Sequence, residues 1–475
     1  MKSTTTLLFT LLICFSFGIS SGQDVVSKET VLTTMAKAAT YYRNNVAVNG
    51  GYVYHYSLDL KERWGEGLAN PQQIWVQPPG TPTVGMAFLK AYEATGDNFY
   101  LYAARDAAMA LAYGQLKTGG WSNQIDFNSL DLKKFGTKDY RYRDSHSSLD
   151  DGQTQSATQL MVKVDAAFKF QHPHIHQSAK RALDALLAAQ FPNGGFPQVW
   201  RGPVEKQPIL KANYPNYDWR TEGRIKNYWD YYTLNDNVCG YVTDTLITAH
   251  EVYKDPRYLE ALARLGDFLI LAQMPDPQPA WAQQYNYNMQ PMWARRFEPA
   301  AISGDESEEV IETLMKIAVE TGNTKYFKPI PKALNYLKKS ELPDGQLARF
   351  YELKTNRPLY MVRKSKKVYQ LTYDDSNLPS HYGWKMNSHI NQLTLKYNAL
   401  VKNLPQGHPS TKVKTSEVTN ILQSLDQQGR WISTHDGRKL VGQAKFPLNA
   451  KYLSSAVFAK NLTTLSNYLI SQRKK

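Results

Sequence analysis

Apolar residues recur along this chain at helical spacing, in blocks that come in pairs. One member of each pair covers 82–94, 154–170, 237–253 and 307–321, and within the second of these Leu160, Val164, Ala167 and Phe168 share a face. Another block follows each of them and closes on a glycine-and-aromatic turn. The turns read Gly119-Gly120-Trp121 and Gly194-Gly195-Phe196, with looser versions at Trp281 and Gly345-Gln346 and fainter ones at Gly51-Tyr52 and Gly429-Arg430-Trp431. Thr95-Gly96-Asp97 and Thr321-Gly322-Asn323 join two of the pairs through a glycine suited to a helix C-cap. A lone helix hairpin cannot bury its apolar stripe, so neighbouring copies must complete the core. The pattern predicts a mainly α fold, an (α/α) toroid-like arrangement of repeated hairpins whose long loops gather at one end around a central cleft. It leaves open whether the ring closes, and it leaves room for short strands. Residues 354–412 break the rhythm with Arg363, Lys364, Lys366, Lys367 and several tyrosines. They read as a loop-rich excursion over the cleft, within a single domain spanning 23–475.

The chain opens on Met1-Lys2, continues through an apolar stretch at 7–17, and reaches the small residues Ser20, Ser21 and Gly22. That order describes a secretory signal peptide over 1–22, with an apolar core shorter than the ~20 residues that span a bilayer. The expected protein is therefore exported, secreted or periplasmic, and free of the membrane once the leader is removed. Losing Cys14 with the leader leaves Cys239 alone, so no intramolecular disulfide can form and stability must come from a large core. A net charge of +14 with 31 Tyr and 10 Trp suits a polyanionic partner, although charge does not choose among acidic glycan, nucleic acid and anionic lipid. A monomer is expected.

The chain has no glycine-rich phosphate loop, no paired Cys-x-x-Cys, no zinc-protease helix and no Gly-x-Ser-x-Gly elbow. What stands out is acidic. Asp150-Asp151-Gly152 and Asn235-Asp236-Asn237 each precede a helix at the same place in their repeats. Such residues cap helices, and oxygen clusters on neighbouring loops also suit Ca²⁺. A second constellation is basic: Arg295 and Arg296 follow the aromatic loop from Trp281, and Arg349, Arg357 and Arg363 lie among Phe350, Tyr351 and Tyr360. Arginines set between aromatics suit bidentate carboxylate recognition.

Five segments in order resemble the family 10 pectate lyases: Asp150-Asp151-Gly152, Asn193-Gly194-Gly195-Phe196-Pro197-Gln198, Thr233-Leu234-Asn235-Asp236-Asn237, and the stretches 281–299 and 349–363. The resemblance implies a toroid-like enzyme that cleaves polygalacturonate by calcium-assisted β-elimination. It implies Arg363 as the base, with Asp150 and Asp236 holding calcium and substrate at the cleavage point. Arg295, Arg349 and Asn235 would grip the substrate, an acidic polysaccharide rather than a nucleic acid. Three departures accompany it. Lys364 follows Arg363 where aspartate is usual, Asp151 replaces a common asparagine, and no arginine occurs between Lys364 and Gly429. The stretch 201–230 reads as an aromatic-rich insertion. Open alternatives are a lyase for another uronate polymer, a glycoside hydrolase using Asp236 and Glu298, and a non-catalytic acidic-glycan-binding protein.

Overall fold

The computed structural model describes residues 26–128, 146–220, 226–366, 368–403 and 413–473, and the leader expected over 1–22 lies outside them. In chain order the helices are α1 (Lys28–Tyr41), α2 (Thr81–Thr95), α3 (Asn98–Tyr113), α4 (Gln153–Ala167), α5 (Pro173–Ala188) and α6 (Val238–Tyr253). They continue with α7 (Pro256–Leu271), α8 (Gly304–Thr321), α9 (Ile330–Ser340), α10 (Ile390–Lys402), α11 (Thr415–Gln423) and α12 (Ser455–Gln472). Glycine 96 ends α2 in the left-handed region at φ 76°, and Asp97 then caps α3 by accepting from the Phe99 amide at 2.8 Å. Gly322 and Asn323 do the same after α8, and Lys254 and Asp255 between α6 and α7.

Two kinds of helix alternate. In α4 the buried residues Thr154, Gln155, Ala157, Thr158, Leu160, Met161, Val162 and Val164 run around most of the circumference, as befits a helix enclosed by neighbours. In α5 burial follows one stripe, Ile175, Ala179, Ala182, Leu183 and Leu186, and the opposite face is wet. Accordingly α12, α2, α4, α6 and α8 form an inner row, each packed on the next, while α1, α3, α5, α7 and α9 back them from outside. α12 packs on both α1 and α2, so the last helix completes a hairpin with the first; Tyr42 meets Ser455 by a 3.1 Å hydrogen bond and stacks on Phe458 at 3.8 Å. α10 packs against α8 and α9, and α11 against α12 and α1.

The repeat also has a hydrogen-bond signature. Trp121, Trp281 and Trp431 each donate from the indole to a carbonyl near the end of the outer helix before them, Leu111, Leu269 and Ile421, at 2.8, 2.8 and 3.0 Å. One hydroxyl at the start of the next inner helix then takes both backbone groups of the turn aromatic: Thr81 for Tyr52, Thr154 for Trp121, Ser307 for Trp281. Within each unit a short strand before the inner helix pairs with one after the turn, as Ser147–Ser148 with Val199–Trp200 and Tyr232–Thr233 with Gln284–Tyr285. The turns are thereby tied to the N-terminal ends of the inner helices, and the loops collect at that end.

The described residues of the segment 354–412 hold more regular structure than its composition suggests. The strands Pro358–Ser365 and Val368–Thr372 form a hairpin that extends the sheet beyond Phe350–Tyr351, and Lys385–Asn387 pairs with Gln346–Ala348. Helix α10 follows, held by Ile390 and Leu393 and by Tyr397 against Phe327; so narrow an apolar stripe among Asn, Gln, Thr and Lys gives a weak periodic signal. The insertion at 201–230 lies along the end of α7 and the loop after Gln284, where the Ala212 amide donates to Leu271 O and Trp219 is buried beside Trp293.

Candidate active site

The inner helices α4 and α6 begin with the same backbone kink. Asp151 and Gly152 stand at φ 45° and 69°, and Asp236 and Asn237 both at φ 53°, two successive left-handed residues before each helix. Asp and Asn tolerate that region better than other residues with a side chain, and at Gly152 a β-carbon would come within 2.9 Å of the Tyr241 ring. The register makes Asp151 the counterpart of Asp236, and Asp150 the counterpart of Asn235. Carboxylate oxygens of Asp150, Asp151 and Asp236 lie within 4.8 Å of one another. Asp151, which composition alone did not separate from a cap, thus joins the two aspartates singled out from the sequence.

A donor at one register position serves each kink. The backbone carbonyls of Gln198, Gln283 and Arg349 accept from Leu149, Leu234 and Gly304, the residues that lead into α4, α6 and α8. The side chains of the same three residues donate to the groups that follow. Gln198 reaches Asp150 at 2.6 Å and Asp236 at 3.5 Å, so it straddles the two kinks. Gln283 donates to Asn235 at 2.7 Å, and Asn235 in turn donates to Asp236. Arg349 pairs with Asp305 and Glu306, each at 2.7 Å. From the other side Gln77 donates to Asp151 at 2.8 Å and to Glu66 at 3.2 Å. The sequence reading missed Gln77, Gln198 and Gln283. For the last two the available signal was constant spacing, two residues after Phe196 and two after Trp281.

Burial sets the electrostatics. It raises the Asp236 carboxyl well above its ordinary range, with Asp150 adding to the effect, and raises Asp150 as well. Burial, then Asp236 and Glu66, push Asp151 up to about 7. The arginines are raised as well. Burial alone would lower Arg295, but Glu298 at 2.5 Å outweighs it, and Arg349 is held up likewise by Glu306, Tyr382 and Asp305. Both guanidiniums stay cationic and close enough to the triad to favour its ionised form, and Tyr382 lies under both, 5.6 Å from Arg295 and 4.9 Å from Arg349. Glu298 is buried and committed to the Arg295 guanidinium, the Arg295 amide at 2.9 Å and the Tyr382 hydroxyl at 3.0 Å, and Arg295 keeps its carboxyl below the usual range despite burial.

Arg363 sits apart from this buried set. It is exposed on the strand Pro358–Ser365 and donates to the carbonyls of Ser365 and Lys366, both at 3.3 Å. It still borders the cleft: burial and then Arg363, Lys439 and Arg295 lower His381, whose ring lies 4.9 Å from Phe297.

The triad fits a calcium ion on two observations. Oxygens bound to one calcium at ~2.3–2.6 Å lie at most ~5 Å apart, and the three carboxylates meet that limit. The amide oxygens of Gln198 and Gln283 are buried beside them without a partner, two further hard donors.

No curated protein matches the chain in sequence. Among solved structures the fold is similar to a variant of a family 10 polysaccharide lyase from Cellvibrio cellulosa in complex with trigalacturonic acid, at 20% identity and TM-score 0.45, covering 66% of this chain and 98% of that one. A second family 10 polysaccharide lyase structure from Cellvibrio cellulosa gives 19% identity and TM-score 0.45 over 67% of this chain and 95% of the other. A D-mannose isomerase gives 12% identity and TM-score 0.47, over 94% and 98%. The family model described as pectic acid lyase matches residues 115–392, more than half of the 475 residues, and so takes in the triad, Gln198 and Gln283, and Arg295, Arg349 and Arg363. The chain belongs to the pectic acid lyase family of polysaccharide lyases.

Proposed function

We propose that this protein is an exported pectate lyase that cleaves polygalacturonate by calcium-assisted β-elimination. The observation that carries the reading is the half-buried triad of Asp150, Asp151 and Asp236 facing two arginines that remain cationic. The triad would hold calcium, which when bound adds positive charge at the substrate's uronate carboxylate and makes the adjacent C5 proton more acidic. Arg295 and Arg349 neutralise uronate carboxylates and orient the chain, with Glu298, Asp305 and Glu306 fixing their forks. Because neighbouring carboxylates hold both guanidiniums protonated, neither is suited to take a proton. The family resemblance assigns the base to Arg363, which is exposed and has no carboxylate partner among its described contacts; it would remove the C5 proton while the C4 oxygen departs. The expected localisation is secreted or periplasmic. No helix among the described residues is long and apolar enough to cross a membrane.

The geometry also weighs against the hydrolase alternative. A glycosidase pairs its acid with a carboxylate free to act as base or nucleophile, whereas the Glu298 carboxylate is taken up by the Arg295 guanidinium and amide and the Tyr382 hydroxyl. Product mass decides between them. Elimination gives fragments one water lighter than hydrolysis gives, and hydrated products from polygalacturonate would end the lyase reading.

A further inference from the structure

Beside Asp151 the cleft widens into a cavity of about 430 Å³, lined by Glu66, Gln77, Asp151, Tyr241, Lys439 and Gly442 among others. That volume falls in the ~300–1,000 Å³ range of small-ligand sites. Apart from Asp151 and Tyr241, its lining lies outside the 115–392 stretch that matches the family model. That part of the wall comes from the 65–78 loop and from a C-terminal loop at 439–442.

The C-terminal loop is firmly seated. His55 meets the Val441 carbonyl at 3.2 Å; burial lowers that histidine to about 4, so the ring is neutral and Nε2–H donates. Gly442, at φ 72°, lies against the Gly65 backbone so closely that a β-carbon would stand 2.0 Å from its oxygen. Lys439 extends from this anchored loop and reaches the His381 carbonyl at 3.5 Å on the opposite wall, where Phe297 and Tyr382 pack. It is the only cation among the described lining residues, which also present two carboxylates, an amide and a phenol. Gln77 holds Glu66 and Asp151 on one amide group, and Gln153 in turn donates to Gln77 at 3.2 Å, so the acceptors on that wall are fixed.

We infer that this cavity is a sugar subsite adjoining the triad, in which Lys439 pairs with the carboxylate of the uronosyl unit next to the cleaved linkage. The hydroxyls of that unit donate to Glu66 and Asp151. The inference rests on the lyase reading, and one experiment separates the two. Wild type, Lys439→Gln and Lys439→Arg are compared on polygalacturonate and on galacturonate oligomers of graded length, following unsaturated ends. Lys439→Gln should raise KM about tenfold, the worth of one charge-assisted hydrogen bond, with kcat within twofold, and Lys439→Arg should restore most of it. Every cleavable oligomer carries the unit next to the cleaved linkage, so the difference between the three proteins should persist at every length. An active wild type with an unchanged KM for Lys439→Gln, or a loss confined to kcat, overturns the subsite alone. A wild type that forms no unsaturated product overturns both readings. Lys439 is exposed, so its replacement leaves the fold intact.

Discussion

Calcium affinity should fall steeply once the pH drops below about 7. Burial and the Asp236 and Glu66 carboxylates push Asp151 up to about 7, so beneath that value a proton competes with the ion for its oxygens. If one proton is displaced per ion, affinity weakens about tenfold per pH unit, or ~1.4 kcal/mol. Between pH 7 and pH 5 Asp151 alone accounts for a loss of about a hundredfold, and the raised Asp150–Asp236 pair steepens it. Titration calorimetry with calcium chloride across pH 5 to 8 reads the slope directly. Asp151→Asn should flatten it and weaken binding at pH 8. The metal-free protein supplies an opposite check. A carboxyl raised in the folded state contributes stability that is present below its unfolded value near 4 and lost as the pH rises through about 7. Glu306, raised to about 7, and Glu309, raised to about 9, act in the same direction. Chelator-treated protein should therefore melt lower at pH 8 than at pH 5, and calcium should reverse that difference. Affinity indifferent to pH from 5 to 8, or an apo protein that gains stability from this region as pH rises, would refute the reasoning.

Three substitutions test other parts of the account. Arg363→Ala should cut kcat by at least about a hundredfold, the usual worth of a general base, with an unchanged denaturation midpoint because the side chain is exposed; near-normal turnover of the folded variant would remove Arg363 from the chemistry. Arg349→Gln leaves Glu306 buried and unpaired, and should cost about 3 kcal/mol in both urea stability and kcat/KM, whereas a stable variant with altered kcat alone would argue for a direct role in proton transfer. Thr154→Val strands the Trp121 amide and carbonyl that share its hydroxyl at 3.0 and 3.2 Å, and should lower urea stability by about 2–4 kcal/mol without altering calcium affinity.

The hairpin rhythm is legible in the sequence because helical spacing, glycine turns and Asp or Asn caps are local signals. The meeting of the last helix with the first ones is not. It depends on α12 packing on α1 and α2, through pairs such as Tyr42 and Ser455, for which no local pattern exists. At the site, the aspartates before α4 and α6 stand out as doublets, yet only the left-handed kinks show that Asp151 corresponds to Asp236 and closes the triad. Arg295 and its anchor Glu298 are three residues apart and visible together. Arg349 and its anchors Asp305 and Glu306 are separated by a whole hairpin and become partners only in the fold. Gln198 and Gln283 look like ordinary polar loop residues until the strand register turns their amides toward the kinks.

The central claim is tested most directly by the ultraviolet absorbance of conjugated unsaturated uronate, followed as purified protein acts on polygalacturonate, first in calcium, then with excess chelator, then with calcium restored. The account predicts a steady rise that stops on chelation and resumes on restoration, because the triad of Asp150, Asp151 and Asp236 binds the ion reversibly. A flat trace in calcium, or a rise that continues undiminished in chelator, would contradict it.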